Sequence, residues 1–172
     1  MSLNSCIGYT GRSRGRHLVM LKLILVAWGL VACTVVVHAA GLMLAVRPVL
    51  RAALRARNHF WPLTHLVIRT VWWLIVIHMV EITVWAVFYW WQKCLPDFES
   101  SLYFSGVTYT TVGYGDLVLP KQWRLLGPIQ ALTGILMCGL SAGLIFAMMS
   151  RMISVRTNLA TSSEIPRSEV PS

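Results

Sequence analysis

Three long apolar runs decide what this 172-residue chain can fold into. They cover residues 23–46, 66–91 and 125–149, and each contains at least 24 residues. A helix of about 20 apolar residues crosses a hydrocarbon core of about 30 Å. Inside that core every backbone polar group needs a partner, which helices supply within one segment. The sequence therefore predicts an all-α membrane protein with three transmembrane helices.

The composition excludes most soluble functions. Hydrophobic residues make up 56% of the chain and charged residues only 12%, against about 25% in soluble domains. The net charge of +9 would suggest nucleic acid in a soluble protein, but here the basic residues flank apolar runs, where anionic lipid head groups are nearer. We expect no nucleic-acid partner. No nucleophile–base set or nucleotide-binding loop occurs, so we expect no enzyme and no cofactor.

The apolar runs divide the chain into five parts. We expect a polar N-terminal tail over 1–22, a first helix over 23–46, a basic linker over 47–65, a pore-forming region over 66–150 and a short polar tail over 151–172. Translation could also start at Met20. A cleaved signal peptide is the competing interpretation of 23–46, but signal apolar regions run to about 15 residues and this one is longer.

The linker carries arginines at a helical spacing. Arg47, Arg51 and Arg55 are four residues apart, so they share one helix face if Pro48 lies in the first turn. This pattern predicts a short helix on the inner membrane surface, with the arginines against anionic head groups. Because these arginines lie outside the apolar runs, we do not expect a voltage sensor.

A shorter helix is expected between the second and third runs. Asp97 is a suitable N-cap and Glu99 then lies in the first turn, where a negative charge complements the helix dipole. A helix over 98–109 would be about 18 Å long, which is too short to cross the membrane. We expect it to enter the membrane, stop midway and return through 110–116.

Residues 110–116 read Thr-Thr-Val-Gly-Tyr-Gly-Asp. A dehydrated cation needs a cage of oxygens, and a ribbon whose carbonyls all point the same way can supply part of one. Gly113 and Gly115 reach the positive φ angles that such a ribbon requires. The Thr111 hydroxyl adds another oxygen, while Tyr114 is too large to face a narrow pore and should point outward. One ribbon makes only a quarter of a cage.

With its flanking runs, this segment resembles the potassium-channel superfamily, specifically small bacterial channels with a helix–pore loop–helix unit, related to two-pore-domain channels. The resemblance covers about 66–150 and extends to the Trp123–Pro128 stretch. It implies a homotetramer that carries potassium passively through a bacterial inner membrane. It also implies an outer helix over 66–91, a pore helix over 98–109, a selectivity filter over 110–116 and an inner helix over 123–150. The expected potassium ligands are the carbonyls of Thr111, Val112, Gly113 and Tyr114.

The region around the filter departs from the best-known members. Some carry a glutamate four residues before the filter threonine, paired with the filter aspartate, but here that position is Val107. Asp116 therefore needs another partner, and we expect Tyr103 to donate a hydrogen bond to it, with water as the alternative. Thr110, Gly115 and Val107 complete the expected filter support. The extra first helix is a second departure.

Polar and small residues inside the spans add further hypotheses. His78 and Glu81 are three residues apart and share one helix face, where they could sense pH together with His38 or form a hydrogen-bonded structural pair. His38 and His78 could also hold a haem. Gly134 and Gly139 are candidate gating hinges, although close helix packing explains such glycines equally well.

The positive-inside rule orients the chain only weakly. With the pore loop and N-terminus outside and the C-terminus cytoplasmic, eight basic residues lie inside and seven outside, or four outside if translation starts at Met20. We keep this orientation because filters of this type open outward. A non-conducting sensor or scaffold on a channel fold is the alternative function, since a fold alone does not establish activity.

Overall fold

The computed structural model describes the backbone of residues 7–55 and 60–164, and the side chains of 17–47, 65–151, 153 and 154. Four helices follow in order: α1 Ile7–Arg55, α2 Phe60–Trp91, α3 Phe98–Tyr109 and α4 Leu126–Glu164. The described residues include no strand, so the predicted all-α class is confirmed. Three stretches are long and apolar enough to cross a membrane, namely His17–Arg47, His65–Trp91 and Leu126–Arg151.

Helix α1 extends past the first apolar run at both ends. Residues 7–22 of the predicted polar tail are helical, and the expectation of a separate helix beginning near Pro48 is wrong, because α1 continues to Arg55. No proline interrupts α1 before position 48. Proline inside a helix removes one backbone donor and can be accommodated by a local bend, so it need not end the helix. The side chains of Arg51 and Arg55 lie outside the described residues, and their basic face stays a prediction.

The helices α1 and α2 pack antiparallel along most of the membrane span. Trp85 Nε1 on α2 donates to Thr34 Oγ1 on α1, 2.9 Å away. Further along, Trp73 Nε1 donates to the carbonyl oxygen of Gly41, also at 2.9 Å. A Cβ at Gly41 would lie 2.5 Å from Ile77 Cδ1, so the absence of a side chain allows the two helices to approach closely.

An aromatic core surrounds the N-terminal part of α3. Trp85 and Tyr89 of α2 are fully buried there together with Leu126 of α4. The Tyr89 ring meets Phe104 of α3 in an edge-on contact with centroids 5.4 Å apart. Edge-to-face aromatic pairs of this kind are favourable beyond the area they bury. This core fixes α3 between α2 and α4.

The outer surface of the bundle is apolar. Large side chains such as Trp28, Trp72 and Phe146 are 66–73% exposed on α1, α2 and α4 respectively. An exposed apolar surface of this extent is unfavourable in water but natural against lipid chains or against another membrane subunit.

Candidate functional site

The N-terminus of α3 is capped as its sequence predicts. Asp97 has extended backbone angles, φ −146° and ψ 174°, and its Oδ1 accepts a hydrogen bond from Ser100 N at 2.7 Å. Glu99 lies in the first turn. The helix expected over 98–109 is present with those bounds.

One face of α3 is polar and buried. It consists of Ser101, Ser105 and Tyr109, which are four residues apart. Ser105 Oγ donates to the carbonyl oxygen of Ile82 on α2 at 2.7 Å. Since buried polar groups without partners are costly, these side chains fix both the rotation and the depth of α3.

Gln130 connects this polar face to α4. Its Nε2 lies 2.7 Å from Ser105 Oγ and 3.2 Å from the Ser105 carbonyl oxygen. Its Oε1 accepts a hydrogen bond from the Tyr89 hydroxyl of α2 at 2.9 Å. Gln130 is fully buried. Gln130 was not among the residues predicted from the sequence. Its position as a lone amide near the start of an apolar run could have indicated a buried polar contact.

The C-terminal end of α3 lies directly against α4. A Cβ at Gly134 would overlap the carbonyl oxygen of Tyr109, whereas a Cβ at Gly139 would meet nothing within 4 Å. Gly134 therefore allows α4 to pack against the end of α3. This packing role explains the glycine without a hinge. Helix α4 is continuous through both glycines. Bending of α4 at either glycine during gating stays a prediction.

The predicted filter, residues 110–116, folds back onto the end of α3. The amides of Val112 and Gly113 both donate to the carbonyl oxygen of Val107, at 3.0 and 3.3 Å. The amide of Thr111 donates to Thr108 O at 3.0 Å, and Thr110 Oγ1 donates to Gly106 O at 2.8 Å. Val107 thus contacts this segment through its backbone carbonyl.

The backbone of the predicted filter alternates in handedness. Thr111, Gly113 and Gly115 have φ angles of 63°, 56° and 77°, while the intervening Val112 and Tyr114 are not at positive φ. Alternation of this kind turns successive peptide planes so that their carbonyls share one side. Glycine adopts these angles readily, but for the β-branched Thr111 they are strained, and such strain concentrates at functional sites.

The side chains of the predicted filter are exposed in the single chain. Val112 is 53% and Tyr114 71% exposed, whereas Tyr109 at the end of α3 is only 2% exposed. The backbone of the segment is thus anchored by one chain, while the side chains of Val112 and Tyr114 are largely exposed.

Asp116 has the partner that the sequence predicted. The Tyr103 hydroxyl donates to Asp116 Oδ2 at 2.8 Å, and the Leu117 amide donates to Oδ1 at 3.0 Å. The hydrogen bond to Asp116 raises the pKa of the Tyr103 phenol above its usual range. A phenol is already protonated at neutral pH, so the shift extends the range over which Tyr103 can donate to more alkaline pH. The effect of this pair on the filter stays a prediction.

A second cluster lies inside the bundle around the fully buried Glu81. His38 Nδ1 of α1 is 2.8 Å from Glu81 Oε1, and His78 Nδ1 is 3.3 Å from Oε2. The Tyr109 hydroxyl donates to Oε2 and also lies 2.9 Å from His78 Nδ1. His78 Nε2 lies 3.1 Å from Ser141 Oγ of α4. The cluster thus joins all four helices.

The sequence anticipated only part of this cluster. It paired His78 with Glu81 and named His38, but it did not include Tyr109 or Ser141. The four-residue spacing from Ser105 to Tyr109 was the available signal for Tyr109. The geometry gives no support to the haem hypothesis, because the Nδ1 atoms of both imidazoles contact the Glu81 carboxylate. A pH-sensing role stays a prediction.

Part of the chain is similar to a known protein family. Residues 68–151 match the family model described as an ion channel. The matched segment contains most of α2, all of α3, the predicted filter and the apolar part of α4. No curated protein and no solved structure matches the chain. Residues 68–151 are thus similar to an ion channel family, and the three membrane-length helices among the described residues indicate a membrane protein.

Proposed function

We propose that the chain is a potassium-selective channel that lets potassium cross the membrane passively. The observation that carries the proposal is the alternating backbone of residues 110–116, with positive φ at Thr111, Gly113 and Gly115. Carbonyl oxygens on one side of such a ribbon can replace the hydration shell of potassium. The ions would pass the carbonyls of Thr111, Val112, Gly113 and Tyr114, with the Thr111 hydroxyl as an additional ligand.

The position of α3 supports cation transport through the same site. The carbonyl end of a helix carries a partial negative charge, and α3 ends at Tyr109, immediately before the predicted filter. Its capped N-terminus and buried polar face hold this end in place at membrane depth. A cation approaching residues 110–116 would therefore be stabilised by the helix dipole.

We propose assembly from four copies on the basis of the same geometry. One ribbon supplies only part of an oxygen cage, and the exposed Val112 and Tyr114 side chains offer surfaces for neighbouring subunits. The described part of α4 adds an apolar face that is 55–59% exposed in the single chain, formed by Leu132, Ile135, Leu136 and Leu140. A homotetramer would bury these surfaces around a central pore.

The proposed setting is a bacterial inner membrane. We place the predicted filter and the N-terminus outside and the C-terminus in the cytoplasm. The basic face of Arg47, Arg51 and Arg55 would then lie at the inner surface, against anionic head groups.

Flux from purified protein tests this function. Proteoliposomes should take up potassium faster than sodium, barium should block the uptake, and the same preparation should have the mass of a tetramer. Gly113→Ala should abolish potassium flux, because alanine is strained at a φ of 56°. Gly29→Ala is the matched control, since a Cβ there meets nothing within 4 Å.

Two results would contradict the proposal. Equal fluxes of sodium and potassium through intact tetramers would exclude potassium selectivity. Intact tetramers without any flux would favour a non-conducting sensor or scaffold instead.

A further inference from the structure

Glu81 lacks the positive partner that a buried carboxylate normally has. It is fully buried within the second apolar span, and burial of an unpaired carboxylate is expensive. Among the described side chains, its ion-pair partners are His38 and His78, with no lysine or arginine. A proton on Glu81 itself, a protonated imidazole or a bound cation would each remove this cost.

The geometry points to a bound cation. We propose that His38, His78 and Glu81 bind a divalent transition-metal ion of the zinc type, with the Tyr109 hydroxyl as a fourth ligand. One ring nitrogen of each histidine and one oxygen of Glu81 lie within 4.8 Å of one another. The site is separate from the predicted filter, and the proposal does not depend on potassium conduction.

Two of the distances within the cluster are close to those between the ligands of a tetrahedral ion. Zinc binds imidazole nitrogen at about 2.0–2.1 Å, which puts neighbouring ligand atoms about 3.3 Å apart in a tetrahedron. His78 Nδ1 is 3.3 Å from Glu81 Oε2 and 2.9 Å from the Tyr109 hydroxyl oxygen. Small side-chain movements would bring these donors to ligand distance.

The second nitrogen of His78 supports the assignment. A metal-bound histidine usually donates its other N–H to a fixed acceptor. His78 has that arrangement, because its Nε2 can donate to Ser141 Oγ at 3.1 Å and leave Nδ1 free to bind. His38 Nε2 is buried and has no hydrogen-bond partner. Its Nδ1 faces Glu81 at 2.8 Å, so Nδ1 is the His38 nitrogen that is placed to bind an ion together with this carboxylate.

The donor set also selects the class of ion. Two imidazoles with one carboxylate suit zinc, cobalt or nickel, whereas calcium and magnesium prefer oxygen ligands. The ion would tie α1 to α2 through His38. It would also contact the end of α3, one residue before the predicted filter, because Tyr109 precedes Thr110.

Cobalt provides a direct spectroscopic test. The purified full-length protein in detergent, freed of metal with a chelator, is titrated with Co²⁺ alone. We expect the intense visible absorption of a tetrahedral cobalt site at one ion per chain, and its loss when Zn²⁺ is added. His38→Gln should weaken cobalt binding at least tenfold. Ser141→Ala should weaken it less, because it removes only the partner of His78. His17→Gln, at an exposed histidine outside the cluster, is the control and should bind as the unaltered protein does.

Two outcomes would overturn the proposal. One is a wild-type protein that binds no cobalt or shows only an octahedral spectrum. The other is His38→Gln binding cobalt as tightly as His17→Gln. The wild-type titration decides the question even if a variant fails to fold. Since binding is measured without ion flux, its failure would leave the proposed channel function untouched.

Discussion

The phenol of Tyr103 donates a hydrogen bond to the carboxylate of Asp116, 2.8 Å away. This bond links α3 to the last residue of the predicted filter. Val107 stands where some of the channels that this chain resembles carry a glutamate, and here Tyr103 is the side-chain partner of Asp116.

Replacing Tyr103 with phenylalanine should therefore destabilise the conducting form of the filter. The substitution keeps the ring and removes only the hydroxyl donor, so Asp116 Oδ2 loses this partner while Oδ1 keeps the Leu117 amide. We expect several-fold faster inactivation or a comparable loss of potassium current in planar bilayers. The control is Leu102→Ala, an exposed neighbour on the same helix. Currents of Tyr103→Phe that match those of the unaltered protein would show that the bond does not support the filter.

Ser105→Ala should lower the stability of the bundle. Its hydroxyl donates to Ile82 O and accepts from Gln130 Nε2, and removing it leaves a buried carbonyl without this donor. Leaving a buried polar group unsatisfied costs about 1–3 kcal/mol. Thermal unfolding in detergent should therefore show a lower Tm.

Thr83→Ala is the matched control for Ser105→Ala. Thr83 also bonds to a backbone carbonyl, that of Met79, but it is exposed. Its replacement should leave the Tm nearly unchanged. A similar decrease in Tm for both variants would mean that the buried Ser105 hydrogen bonds contribute no more to stability than the exposed Thr83 bond.

The two candidate hinge glycines should respond differently to alanine. Gly134→Ala forces a methyl group against the Tyr109 carbonyl, so it should displace the end of α3 and reduce both tetramer yield and potassium flux. Gly139→Ala has open space and should fold normally. If Gly139 is a hinge, its variant should show altered open probability in single-channel recordings at unchanged stability.

Gly143→Ala is the control for both glycines, because it lies on α4 and a Cβ there also meets nothing within 4 Å. Normal assembly and flux of Gly134→Ala would contradict its packing role.

The sequence predicted the elements whose signals are local. Asp97 marks the start of α3, and the glycine pattern of 110–116 marks the turn that follows, so this region was predictable to the residue. The course of α1 through Pro48 was not, because a proline ends some helices and only bends others. Helical spacing shows which residues share a face, but it does not show which height of one helix meets which height of another. The contacts of Glu81 with His38 and of His78 with Ser141 depend on that register, and it is set by packing.

The close approach of α1 and α2 offers a reciprocal test of this register. A Cβ at Gly41 would lie 2.5 Å from Ile77 Cδ1, so Gly41→Ala should lower the Tm by pushing the helices apart. Ile77→Ala should lower it as well, because it leaves a cavity, which typically lowers the free energy of unfolding by about 2–5 kcal/mol.

In the double variant the new methyl group enters space that Ile77 has vacated. The stability loss of the double variant should then be smaller than the sum of the two single-variant losses, by a coupling energy of about 0.5–3 kcal/mol. Gly29→Ala combined with Ile77→Ala is the control pair and should be additive, since Gly29 has nothing within 4 Å. Additive losses for Gly41 and Ile77 would mean that these residues do not meet, and that α1 contacts α2 at a different height.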